Sequence, residues 1–224
     1  MRRLAPVLMI VAAAFTCRAG DEQTGEASDD PTAAAADHVM AHAGAMEADP
    51  HMRLTPPRAP APGDSARAAA IVATMRRDLA RYHDVRAAEA DGFRQFLPGA
   101  AAPIQHFTKL SWAFEARRGL NPSHPTSLLY RRTAAGSLEL VGAMFTAPPG
   151  SSDDELDARF PLSVVRWHQH VNWCVPPLRA RWRETRDGHP VFGPKSPIAT
   201  AEACAAVGGR FLPRLFGWMV HVEF

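Results

Sequence analysis

Lysine is nearly missing from this chain: of 25 basic residues, only Lys109 and Lys195 are not arginine. The arginines are scattered and have no interleaved aromatics, which argues against a nucleic-acid-binding surface. No apolar run of about 18 residues follows the N-terminal region, so an internal membrane span is excluded. The motifs CxxC, CxxCH, HExxH and GxSxG are all absent. With them go thioredoxin-type redox chemistry, c-type haem attachment and the familiar zinc-protease and serine-hydrolase sites. Ile, Leu, Val and Phe are almost absent from residues 20–63, which hold too little apolar surface to offset the entropy of ordering.

Charge divides the chain at residue 52, within the same region. The formal total of +2 conceals eight carboxylates and no Lys or Arg in residues 21–52. An acidic arm at 20–63 and a basic body at 64–224 are therefore expected, the body forming a single domain. Ahead of the arm, residues 1–19 read as a signal peptide: Arg2 and Arg3, then mostly apolar sequence from Leu4 to Phe15, then small residues. Two cleavage patterns fit. Cys17-Arg18-Ala19 suits general signal cleavage before Gly20; Ala14 to Cys17 resembles a lipoprotein box that would make Cys17 a lipid anchor, though Phe15 and Thr16 depart from it. Either way the expected location is extracytoplasmic: periplasmic, lipid-anchored at the outer membrane, or secreted. Of three cysteines, Cys174 and Cys204 then remain, and an oxidising compartment favours a disulfide between them.

Histidine and methionine carry the chemistry. The arm contains His38, Met40, His42, Met46, His51 and Met52. Imidazole suits several transition metals and thioether selects Cu(I), so these residues are candidate arm ligands.

Within the body, Ala68, Ile71, Val72, Met75, Leu79 and Tyr82 recur at helical spacing, predicting a helix over 65–82. A shorter helix over 85–91 ends at Gly92. Residues 126–132 and 138–147 around Gly136 read as a β-hairpin, and Ser151 or Ser152 caps a helix at 153–159. Two alternating segments follow. In 163–174, His168, His170, Asn172 and Cys174 share one strand face; in 215–224, Met219, His221 and Glu223 do. If the strands are neighbours, His168, His170 and His221 form a metal site with Met219 or Glu223, copper being favoured and zinc the alternative. His106 and Asn172 are accessory pocket candidates. The expected fold is α+β, with N-terminal helices packed on a mostly antiparallel sheet.

The stretches AEADGF, HPTSLLY, VGAMFTAP, WHQHVNWC and GWMVHV resemble a group of exported bacterial proteins with no established activity. The resemblance spans about residues 51–224 and implies one shared domain. Function therefore rests on the residues: a metal-binding protein first, with a metal-dependent enzyme using Glu223 as base, or a metal-free ligand-binding or envelope domain, as alternatives. The expected partner is a metal ion or small molecule rather than nucleic acid.

Overall fold

The computed structural model describes residues 46–96 and 103–224. The expected signal peptide, Cys17, His38, Met40 and His42 lie outside the described residues.

In chain order the elements are β1 (Met52–Leu54), α1 (Asp64–Leu79), a 3-10 turn (Ala80–His83), α2 (Val85–Ala90), β2 (Arg94–Gln95), β3 (Ile104–Thr108), α3 (Leu110–Glu115), β4 (Ser127–Arg132) and β5 (Leu138–Ala147). Then come α4 (Asp153–Arg159), β6 (His168–Val175), a second 3-10 turn (Arg179–Arg183), β7 (Thr185–Arg186), β8 (His189–Pro190), α5 (Ala201–Ala206) and β9 (Arg210–Glu223). Seven strands make one antiparallel sheet in the order β1-β6-β9-β5-β4-β3-β2, while β7 and β8 form a separate small hairpin. This is the expected α+β class with a mostly antiparallel sheet. No helix among the described residues is long and apolar enough to cross a membrane.

Local sequence explains where elements start and stop. α1 begins after Gly63 (φ 90°), and the Asp64 carboxylate accepts from Ala61 N and from the Ser163 hydroxyl. Its Ala68, Ile71, Met75 and Leu79 are buried, the i, i+3, i+4 stripe of an amphipathic helix. α4 carries a capping box, Ser152 with Glu155, satisfying two otherwise orphaned donors. The buried stripe of α1 joins Phe107, Leu128, Tyr130, Ala143, Phe145, Trp167, Trp218, Val220 and Val222 in one core. Those strand residues alternate with the ones on the other face, so only one side of the sheet is covered by this core.

The expected disordered arm does not extend to residue 63. Met52–Leu54 pairs with β6, His51 and Thr55 are buried, and Thr55 N donates to the Trp167 carbonyl. Strand pairing satisfies the backbone of this apolar-poor segment, so composition alone underestimated its order. β6 also starts at His168 rather than 163, whereas β9 begins five residues earlier than expected, at Arg210.

Beyond the seven-stranded part, the ends of β6 and β9 run on as a two-stranded extension toward α5. Cys174 and Cys204 are disulfide-bonded there, Cα atoms 5.4 Å apart, inside a small cluster with Val191, Phe192 and Phe211. Gly209 belongs to this corner because a Cβ on it would collide with both sulfurs.

Candidate functional site

Cross-strand register places the histidines on the face that the helices leave uncovered. Directly opposite residues of antiparallel strands share a face. His106 opposes Leu129, which opposes Gly142; Met144 opposes His221; Met219 opposes His168; and His170 opposes both Met52 and Leu215. β4 and β5 lie between His106 and His221, so three strand spacings of about 4.8 Å would set their strands roughly 14 Å apart. Nevertheless the two Nε2 atoms are 3.3 Å apart and the ring centroids 5.2 Å. The sheet curls its histidine face into a trough.

The rings form a chain across that trough. His221 meets His168 at 5.0 Å between centroids, His168 meets His170 at 5.7 Å, and His170 meets Trp173 at 5.4 Å. Beneath the chain, Leu129, Val141, Met144 and Met219 make a small buried apolar floor that includes two thioethers.

Burial sets the electrostatics. His168 is 3% exposed, and desolvation, assisted by His170 and His106, pushes its pKa down from 6.5 to about 3. Burial also lowers His106, with His170 adding to the effect. His170 is lowered by burial and by His51, against an opposing pull from Asp49. These three imidazoles are thus neutral at pH 7, with lone pairs available to a metal rather than to protons. His221 is exposed at the open side of the trough.

The expected set of His168, His170 and His221 is only partly brought together. From Met219 to His221, β9 runs alongside β6 back from His168 toward Arg166, so His221 and His170 lie on opposite sides of His168. A register shift between His168 and His170 separates them further. Among the described residues no three His, Cys, Asp or Glu side chains are placed to hold one ion together. His106, expected only as an accessory, instead brings its Nε2 to 3.3 Å from that of His221.

The other candidates lie around the trough or behind it. Asn172 adopts φ 58°, a conformation Asn tolerates, and donates its amide to the Pro50 carbonyl. That residue breaks the strict alternation expected for 163–174, letting Trp173 swing to His170. His51 is buried with Nδ1 and Nε2 at 2.9 and 2.5 Å from the carbonyl oxygens of Asn172 and Ser196, so both ring nitrogens face backbone carbonyls. Met46 is half-buried ahead of β1, and Met52 stands opposite His170. Glu223, exposed, occupies the same cross-strand row as His106, with Leu129 and Gly142 between.

Sequence reasoning missed Met144, whose place in the hairpin's alternation was legible but whose opposition to His221 was not. It also left Phe96 and Phe216 unremarked. Comparison with protein-family models, with curated proteins and with solved structures finds no match.

Proposed function

We propose that this protein binds a transition-metal ion, copper in preference to zinc, through His106 and His221, with the thioether of Met219 or Met144 as a further donor. The observation that carries this reading is the 3.3 Å separation of the two Nε2 atoms. Two nitrogens each 2.0–2.1 Å from one tetrahedral ion are about 3.3–3.4 Å apart, so the pair already has the spacing of two ligands. Imidazoles over a floor containing methionine sulfur supply a mixed nitrogen and thioether donor set, which favours Cu(I). The signal-like N-terminal sequence and the Cys174–Cys204 bond support a site of action outside the cytoplasm.

The test is titration of metal-stripped protein with Cu(I), Cu(II) and Zn(II). One ion should bind per chain, and His106→Ala or His221→Ala should each weaken it by about tenfold or more, the scale of losing a ligand or its support. His124→Ala should bind as the unaltered chain does, since that ring stacks on Trp112 and pairs with Glu115 away from the trough. Absence of binding, or binding indifferent to both trough substitutions, would overturn the proposal.

A further inference from the structure

Two aromatic rings bridge the same gap as the histidine pair. Phe96 follows β2, and its N–H donates to the His106 carbonyl at 2.7 Å; Gln95 pairs with Phe107, so Phe96 continues the ladder opposite His106 and shares its face. Phe216 reaches that face by another route. Between the pairs His168–Met219 and His170–Leu215, β9 advances four residues while β6 advances two, and the excess is taken up in a bulge. Within it Phe216 adopts φ 65°, left-handed backbone that a bulky side chain rarely takes. Gly217 follows because a Cβ there would collide with the Ala147 carbonyl oxygen. The Phe96 and Phe216 rings meet edge-on, centroids 6.1 Å apart.

Neither ring fills the core: Phe96 is 47% and Phe216 55% exposed. A strained backbone that turns an aromatic side chain outward, toward a second half-exposed aromatic across a histidine trough, has no packing explanation. Strain of this kind concentrates at ligand clamps and functional sites.

We propose that Phe96 and Phe216 form an aromatic cover beside the imidazole chain that slows exchange of a bound ion with solvent and bulky chelators. This rests on the metal-binding reading. An apolar cover around a metal site controls solvent access and therefore exchange, so the two rings act on the rate at which a bound ion leaves.

The experiment loads full-length protein with Cu(I), challenges it with excess bathocuproine disulfonate, and follows formation of the coloured chelate by stopped flow. Phe96→Ala removes one ring without touching the bulge. Phe216→Asn removes the other while keeping a residue that tolerates the left-handed backbone, and Phe216→Gly serves if the Asn variant fails to fold. In both single variants copper should be lost about tenfold faster and captured correspondingly faster, since removing a cover eases exchange in both directions. Affinity should stay within about threefold because no ligand is removed. Departure as slow as in the unaltered chain in both variants would overturn the cover while leaving the metal site intact. A chain that holds no Cu(I) would overturn the metal reading and the cover together.

Discussion

The two faces of the sheet are made from alternate residues of the same strands, yet they have opposite fates. On β5, Phe145 enters the large core beneath α1, while Met144 lies on the floor of the histidine trough. On β9, Trp218, Val220 and Val222 face the core, and Met219 and His221 face the trough. The covered face is apolar and enclosed. Its counterpart concentrates imidazoles where most proteins would place either solvated polar groups or a second layer. One face supplies the stability that allows the other to hold neutral, poorly solvated histidines.

Cutting a hole in the covered face should therefore give the largest effect. Phe145→Ala deletes a fully buried ring and should lower stability by about 3–5 kcal/mol in urea unfolding, while molecules that remain folded keep their metal stoichiometry. A cost below about 1 kcal/mol, or loss of metal binding from folded molecules, would break the division between faces.

Acid should act on the other face. The His168 pKa falls from 6.5 toward 3 on folding, so the unfolded chain takes up a proton that the folded chain refuses. Stability is full above about pH 6.5 and is lost as pH falls through that window. For metal-free protein the His168 contribution between pH 7 and pH 5 is about 1–2 kcal/mol. His168→Gln should flatten this part of the pH profile, measured by urea unfolding at each pH. An equally steep loss in the variant would assign the dependence to other groups.

The contrast also shows what the sequence could and could not disclose. α1, the β4–β5 hairpin and α4 were readable because each is a local pattern: a helical stripe, an alternating pair around Gly136, an acidic first turn behind Ser152. β1 and β3 were not, since each is short and flanked by proline-containing sequence, and each is stabilised by its neighbour strand rather than by its own composition. The HxH pair and His221 were visible as candidates. Their geometry was not, because it depends on the direction of β9 relative to β6, a four-for-two bulge and the curl that carries His106 across two strands. Phe216 is the clearest case: nothing in LFGWMV reveals that its backbone is left-handed.

The smallest effect sharpens the comparison most, because it separates packing from ligation at one position. Met219 is buried, lies in the small apolar floor and opposes His168. Met219→Leu nearly conserves volume, so unfolding stability should change by less than about 1.5 kcal/mol. It does, however, delete the thioether, which matters to Cu(I) and little to zinc. Cu(I) affinity should fall while Zn(II) affinity holds, read by competition titration with each ion. A parallel fall for both ions would make Met219 a packing residue of the trough, and Met144→Leu, tested the same way, would then decide whether the floor contributes sulfur at all.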